Sequence, residues 1–230
     1  MTFHSENRAK PVDWVWAVHQ PPKMKPFVMD IETTGRADAA DYLPPIEAPG
    51  NYKDIAKIEA YLAEKRTAQL ERAALSAETA RILCVGILRM SGEPLVIHDD
   101  DERRLLREAW LELETREEDE IFVTFNGSRF DWPMLARRCY ALGVPVPSWF
   151  PSDGRWPLRT HCDLFTLWQC GDRTETISLD RLARLCGQPG KTANGAHFGE
   201  LWRTDRAAAL DYLRHDLELT RNLWQCMAAN

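Results

Sequence analysis

The chain has 230 residues, of which 44% are hydrophobic and 28% are charged, and its formal net charge is −6 at pH 7. This composition is typical of a globular domain that buries a sizeable core, and no apolar run approaches the ~18 residues that a membrane span needs. The negative charge argues against a protein coated with basic surface, so any contact with a polyanion should be local.

The N-terminus and the cysteines predict a cytoplasmic protein. The first ten residues lack the apolar segment of a secretory signal. The six cysteines are scattered and form no C-x-x-C pair. This usage indicates reduced thiols, and neither a disulfide framework nor a zinc site.

Residues 27–35 (FVMDIETTG) predict a short buried strand, since an apolar run lies between Pro26 and Gly35. Asp30 and Glu32 interrupt that run. Side chains two residues apart share one face of a strand, so these carboxylates should lie a few ångströms apart. Such a pair is costly when buried unless a cation lies between the charges, and Mg²⁺ or Mn²⁺ prefers carboxylate oxygens. An edge strand with two solvated acids remains the alternative.

The elements that follow predict a mixed α/β sheet with helices on its faces. Residues 36–53 should be irregular, and the spacing of apolar residues predicts a helix from 54 to about 74. Further strands are expected at 81–89, 93–98 and 121–125, and further helices at about 101–114, 130–142, 163–170, 178–186 and 205–227. Residues 12–18 (VDWVWAV) predict an extended piece that covers or extends the sheet.

A second set of polar residues follows the predicted strand at 121–125, in the stretch FNGSRFDWPML. Sites in open α/β sheets collect at the carboxyl ends of strands, which is where Asn126 and Asp131 fall. Each residue also has an ordinary explanation. Asp131 is favoured at a helix start by the helix dipole, and asparagine is a common turn former.

A third set lies inside the last predicted helix, in DYLRHDLELT. Tyr212 and Asp216 are four residues apart, so they lie one turn apart on the same face. Leu213 and Leu217 mark the packing side next to them. A phenol and a carboxylate would then point at the edge of the sheet. An amphipathic helix with an ordinary tyrosine–aspartate pair is the alternative.

In their order and contexts, the D-x-E, N-x-x-x-F-D and Y-x-x-x-D patterns resemble the three exonuclease motifs of the DEDDy group. The form of the second motif resembles the proofreading exonuclease domain of family B DNA polymerases. The stretches ALSAETARILCVGI and LARLCGQPGKTANGAHFGELW are similar to stand-alone predicted 3′–5′ exonucleases related to that domain. The resemblance covers roughly residues 26–226.

The resemblance implies a ribonuclease H-like fold, an α/β mixed five-stranded sheet with helices on both faces. It implies a single exonuclease domain over residues 26–230, with an insertion at about 36–80, after an N-terminal extension over residues 1–25. The insertion could shape a substrate channel, because long connections in compact domains are usually functional or disordered.

The resemblance also implies a metal-dependent 3′–5′ exonuclease that releases nucleoside monophosphates. Two Mg²⁺ or Mn²⁺ ions are expected on four carboxylates, with Asp30 bridging, Glu32 and Asp216 on the nucleophile side and Asp131 on the other ion. Tyr212 is expected to orient the attacking water, because a phenol with an ordinary pKa near 10 is a poor general base at neutral pH.

The resemblance implies that the partner is nucleic acid, in the first place the 3′ end of single-stranded DNA. It implies no membrane partner. Thr33, Asn126 and Phe130 are candidates for substrate contact, the phenylalanine by stacking on a terminal base. For Phe130 an ordinary core residue is the alternative. Lys191 is a candidate phosphate contact. Its pattern is incomplete, because Asn194 stands where a hydrophobic residue is expected, and a solvated loop lysine is the alternative.

Two rival functions remain open from the sequence. A 3′–5′ exoribonuclease would carry the same motifs, because the 2′-hydroxyl is recognised by a few contacts that no local pattern identifies. A catalytically silent nucleic-acid- or protein-binding module would keep the fold and lose a ligand acid. Here all four acids and the tyrosine are present.

Overall fold

The computed structural model describes residues 24–150, 160–190 and 198–227. Within these ranges the chain forms a five-stranded mixed sheet of order β3-β2-β1-β4-β5. The β1–β2 and β2–β3 pairs are antiparallel, and the β1–β4 and β4–β5 pairs are parallel. The predicted α/β, ribonuclease H-like fold class is confirmed. The strands are β1 Lys25–Gly35, β2 Ala80–Arg89, β3 Leu95–Ile97, β4 Glu120–Thr124 and β5 His161–Asp163.

Helices cover both faces of this sheet, and most of them begin where the sequence predicts. Asp54, Asp101, Asp163 and Ser178 each cap a helix start by accepting a hydrogen bond from a backbone N–H of the first turn. A 3₁₀ turn, Arg72–Leu75, continues the second helix. The helices are α1 Ala39–Tyr42, α2 Ile55–Glu71, α3 Glu102–Leu113, α4 Asp131–Leu142, α5 Leu164–Gln169, α6 Leu179–Leu185, α7 Phe198–Thr204 and α8 Arg206–Met227. None of the helices in the described residues is long and apolar enough to cross a membrane.

The alternation of side chains along β1 divides the core into two layers. Phe27, Met29 and Ile31 pack with α3 and α4 on one face of the sheet. Val28 packs on the opposite face with α6, α7 and α8. Asp30 and Glu32 continue the series of Val28, so they lie on the face that α8 covers, as the two-residue period predicts.

Three elements were not predicted from the hydrophobic pattern. The short helix α1 lies within residues 36–53, which were expected to be irregular. The fifth strand, β5, is only three residues long and reads His-Cys-Asp, so it lacks the apolar alternation that identifies a strand. The seven residues of α7 contain a glycine in the first turn, which is unfavourable in a helix. The extended piece predicted at residues 12–18 lies outside the described residues.

The second helix has the predicted position, but it does not contribute to the core. None of the 17 residues of α2 is buried, and Ile55 at its start is 73% exposed. The chain instead packs against the sheet through the 3₁₀ turn, where Ala73 is 2% exposed. The apolar spacing therefore predicts the helix correctly, and the structure shows in addition that the helix is exposed.

A buried ion pair joins α3 to α4. The guanidinium of Arg138 donates to both carboxylate oxygens of Glu102, at 2.9 and 2.7 Å, and to the carbonyl of Ala77 at 3.0 Å. The same Glu102 carboxylate accepts a hydrogen bond from the N–H of Ile82 at 2.9 Å. This cluster fixes the start of β2 relative to both helices.

Candidate functional site

Three of the predicted acids converge above the middle of the sheet. Asp30, Glu32 and Asp216 each offer a carboxylate oxygen, and these oxygens all lie within 4.8 Å of one another. Asp30 and Glu32 come from the central strand β1, and Asp216 from α8, which crosses over it. Residues distant in the chain thus supply a single compact set of oxygen donors.

A glycine on the neighbouring strand lets α8 approach the sheet at this point. Gly86 of β2 is paired with Asp30. A Cβ atom at this position would lie 2.8 Å from Cδ1 of Leu217 and 3.0 Å from Cγ of Leu213. Both leucines are fully buried next to Tyr212 and Asp216. Because Gly86 has no side chain, α8 can lie close to the sheet, and this close packing determines the distance of Tyr212 and Asp216 from β1.

We expect Gly86→Val to lower both stability and any activity of the site. Strand propensity alone favours valine over glycine, but the added carbons would force α8 away from the sheet. The expected loss is about 1–3 kcal/mol of unfolding free energy and at least about tenfold in turnover, since a displacement of 1 Å can cost more. Thermal unfolding and nuclease assays would measure the two effects.

Gly86→Ala should give a smaller change of the same sign, because the leucine side chains can shift by a few tenths of an ångström. Gly50→Ala is the matched control, since no atom lies within 4 Å of a Cβ at Gly50. A Gly86→Val protein as stable and active as the parent would mean that α8 does not depend on this contact.

The fourth predicted acid, Asp131, lies at the first position of α4 and is 3% exposed. The backbone N–H of Ile31 donates to one oxygen of Asp131 and to one oxygen of Asp30, each at 3.1 Å. Burial, and then the charge of Asp30, raise the pKa of Asp131 well above its ordinary value. Asp131 is thus beside the cluster of three, and the structure brings all four acids to one place.

Asp163 holds the turn that positions Asp131, a role that no pattern in the sequence indicates. Its carboxylate accepts hydrogen bonds from the N–H groups of Asn126 at 2.8 Å and Ser128 at 3.0 Å. Asn126 adopts the left-handed conformation with φ 68°, which asparagine tolerates better than most residues. A bare helix-cap pattern was the only sequence signal at Asp163.

The negative charges of the acids also affect a neighbouring thiol, that of Cys84. Cys84 is paired with Glu32 across the β1–β2 ladder. Burial, and then the charges of Glu32 and Asp30, raise its pKa above the ordinary value. The thiol therefore stays protonated, and the site concentrates negative charge that a cation would offset.

The clustered acids lie in one cleft of about 1060 Å³. The four acids, Tyr212 and three of the predicted substrate contacts, Thr33, Asn126 and Phe130, line it. Tyr212 is 5% exposed. The hydroxyl of Thr33 donates to the carbonyl of Ala74 at 2.7 Å. Lys191, the remaining predicted contact, lies outside the described residues.

The chain segment between β1 and β2 forms one wall of the cleft. Leu70, Glu71, Ala74 and Leu75 line it, and Leu75 is 65% exposed. The Thr33–Ala74 hydrogen bond ties this wall to β1. The cleft is also lined by residues at the start of α6 and in α7, whose place in the site no sequence pattern indicated, namely Ser178, Leu179, Gly199, Glu200 and Arg203.

The residues present fit a hard divalent cation. The donors in the cluster are carboxylate oxygens, which Mg²⁺ and Mn²⁺ prefer to nitrogen or sulfur. The carboxylates also repel one another, since the charge of Asp30 adds to the effect of burial in raising the pKa of Asp131. A cation would relieve that repulsion.

Comparison with solved structures supports the fold. The family B DNA polymerase from the hyperthermophilic archaeon Pyrobaculum calidifontis is similar, with a TM-score of 0.59 and 20% sequence identity. The match covers 89% of this chain and 24% of the polymerase, so the chain spans about a quarter of that protein's length. None of the curated proteins matches the chain.

A family model matches residues 77–228, and its description is a predicted 3′–5′ exonuclease related to the exonuclease domain of PolB. The matched region contains Asp131, Tyr212 and Asp216. Asp30 and Glu32 precede it and reach the same cleft through β1. With about two thirds of its length matched, the chain belongs to the family of predicted 3′–5′ exonucleases related to the exonuclease domain of PolB.

Proposed function

We propose that the protein is a divalent-metal-dependent 3′–5′ exonuclease that removes nucleoside monophosphates from the 3′ end of single-stranded DNA. The observation that carries this proposal is the convergence of Asp30, Glu32 and Asp216, with oxygens within 4.8 Å of one another, beside Asp131. Phosphoryl transfer depends mainly on positioning and electrostatic stabilisation, and such a cluster can hold the cations that supply both.

In this proposal the four carboxylates hold two Mg²⁺ or Mn²⁺ ions. Asp30 occupies the centre, because it adjoins both the Glu32–Asp216 pair and Asp131. Two bound ions supply Lewis acidity, which activates a water for attack and offsets the charge that develops on the leaving 3′ oxygen. The backbone N–H of Ile31 keeps Asp30 and Asp131 in place through its hydrogen bonds.

Tyr212 is proposed to orient the attacking water through its hydroxyl group. Its ring lies 5.8 Å from that of Phe198, which limits its movement. It also lies one helical turn before Asp216, on the side of α8 that faces the cleft. Positioning is the role that suits a phenol, which is ordinarily a poor general base at neutral pH.

The walls of the cleft suit an unpaired strand. Leu70 and Leu75 on one side and Phe130 on another offer apolar surface to bases that are not stacked in a duplex. Asn126 can donate and accept hydrogen bonds, and Thr33 retains acceptor capacity because its hydroxyl donates to Ala74. Lys191 is proposed as a further phosphate contact. We also propose a single domain over residues 26–230, which follows an N-terminal extension over residues 1–25. The wall formed by residues 70–75 belongs to an insertion in this domain at about residues 36–80.

The experiment that tests this function is digestion of 5′-labelled single-stranded DNA and RNA of matched sequence, with Mg²⁺, Mn²⁺ or EDTA. We expect a metal-dependent ladder that shortens from the 3′ end, with DNA preferred. A circular single strand should resist digestion, because it has no end. The Asp30→Ala/Glu32→Ala protein should be inactive on every substrate.

Glu200→Gln is a matched control, because Glu200 lines the cleft outside the carboxylate cluster. Its kcat at saturating strand concentration should remain within about twofold of the parent, as for most surface substitutions. Preference for RNA would establish the exoribonuclease alternative. Absence of cleavage of both strands by well-folded protein would favour the silent binding module.

A further inference from the structure

The helix α7 is held rigidly at the mouth of the cleft. Phe198 and Trp202, one turn apart, are 2% and 7% exposed and stack with their ring centroids 5.8 Å apart. On the adjoining side, a Cβ at Gly199 would lie 2.4 Å from the hydroxyl oxygen of Thr34 at the end of β1. The close contact is possible because Gly199 has no side chain. The backbone of α7 is therefore fixed relative to the carboxylates.

Arg203 lies one turn after Gly199, so it belongs to the side of α7 that faces the cleft. Its side chain is exposed and lines the cleft. No carboxylate in the described ranges forms an ion pair with it. The next arginine in the chain differs, because Arg206 lies over the Trp202 ring and approaches Asp100 at 3.8 Å.

The charge around Arg203 is otherwise negative. The described lining of the cleft contains six carboxylates, and Arg203 is the one basic side chain among the lining residues. The four clustered acids can be offset by two divalent cations. Glu71 and Glu200 would still repel a polyanionic strand in the outer part of the cleft. A guanidinium on a rigid helix offsets this repulsion, and its planar donors match the oxygens of a phosphate.

We propose that Arg203 binds a backbone phosphate of the substrate strand, outside the carboxylate cluster. The inference rests on the proposed function for the identity of the ligand as a nucleic acid strand. Arg203 and the apolar residues Leu70 and Leu75 line the same cleft from different elements. Together they hold the strand by its phosphates at Arg203 and by its bases at Leu70 and Leu75.

The test is binding of a 5′-fluorescein-labelled oligothymidylate, followed by fluorescence anisotropy in EDTA and in Ca²⁺ over a range of salt concentrations. Arg203→Gln should weaken binding about tenfold to hundredfold, as expected for a hydrogen bond to a charged group. It should also reduce the slope of log affinity against log salt by about 0.7, the value for one phosphate contact on a single strand. Arg203→Lys should keep the slope and lose part of the affinity.

Arg107→Gln is the control, because Arg107 is an exposed arginine on α3, which packs on the other face of the sheet. Its affinity and salt slope should match those of the parent. Thermal unfolding of Arg203→Gln should also match, since the side chain is exposed. In digestion with Mn²⁺, Arg203→Gln should raise KM by a similar factor and leave kcat within about twofold, as loss of uniform binding predicts.

The outcomes separate this inference from the proposed function. A parent protein that digests the strand, together with an Arg203→Gln variant of unchanged affinity and salt slope, overturns the inference alone. A parent that binds without digesting, and loses binding in Arg203→Gln, supports the inference and contradicts the nuclease. A parent that neither binds nor digests contradicts both.

Discussion

Asp216→Asn is expected to abolish hydrolysis and to stabilise the metal-free protein. Asp216 is 2% exposed, and one of its carboxylate oxygens lies within 4.8 Å of one oxygen each from Asp30 and Glu32. An amide has nearly the shape of a carboxylate but no charge, so it cannot replace an anionic ligand. We expect a fall in kcat on the order of a thousandfold, which corresponds to about 4 kcal/mol of transition-state stabilisation.

Although this substitution lowers activity, it should raise the unfolding free energy of the metal-free protein. The clustered acids repel one another, and replacing one of them with a neutral group removes part of that cost. We expect the unfolding free energy in EDTA to rise by about 1 kcal/mol, since functional residues of an active site are often destabilising. A metal ion that binds only the folded protein raises its stability, and the increase grows with the metal concentration and with the affinity of the site. Mn²⁺ should therefore raise the melting temperature of the parent and have little effect on that of the variant.

Glu71→Gln serves as the comparison, because Glu71 lines the same cleft but is exposed and outside the cluster. It should retain turnover and the Mn²⁺-induced rise in melting temperature. If Asp216→Asn kept the rise and the activity, Asp216 would not be a ligand. If it lost activity but remained stabilised by Mn²⁺, its role would be separate from metal binding.

Arg138→Leu is expected to cause the largest loss of stability. The Arg138 side chain is 3% exposed and that of Glu102 is 10% exposed, so the substitution leaves a nearly buried carboxylate without its cation. Removing one partner of a buried pair typically costs about 3–5 kcal/mol. The Ala77 carbonyl also loses a donor. Chemical denaturation should show a lower midpoint with little change in slope.

A second substitution identifies the source of that loss. Glu102→Gln in the Arg138→Leu background removes the unpaired charge and keeps an oxygen that can accept from the N–H of Ile82. The double variant should recover at least about half of the lost stability, because the uncompensated charge is the main cost. If it recovers none, the loss comes from packing and from the Ala77 carbonyl. Activity per folded molecule should change little, since neither residue lines the cleft.

The local patterns of the sequence determined the elements that carry the candidate site. The two-residue period of β1 places Asp30 and Glu32 on one face, and the four-residue spacing in α8 places Tyr212 beside Asp216. The position of Asp131 at a helix start is likewise a local feature. Each of these depends only on backbone geometry within one element, which is why it could be predicted.

Only the tertiary structure decided which distant residues meet. Gly86 carries no local signal for its contact with α8, and Asp163 reaches the turn at Asn126 through a strand too short to show a pattern. The position of Arg203 at the cleft depends on the packing of α7. Hydrophobic periodicity specifies which face of an element is buried, but the partner across that face depends on how the intervening chain folds. For the same reason α2 could be predicted as a helix, whereas its exposure could not.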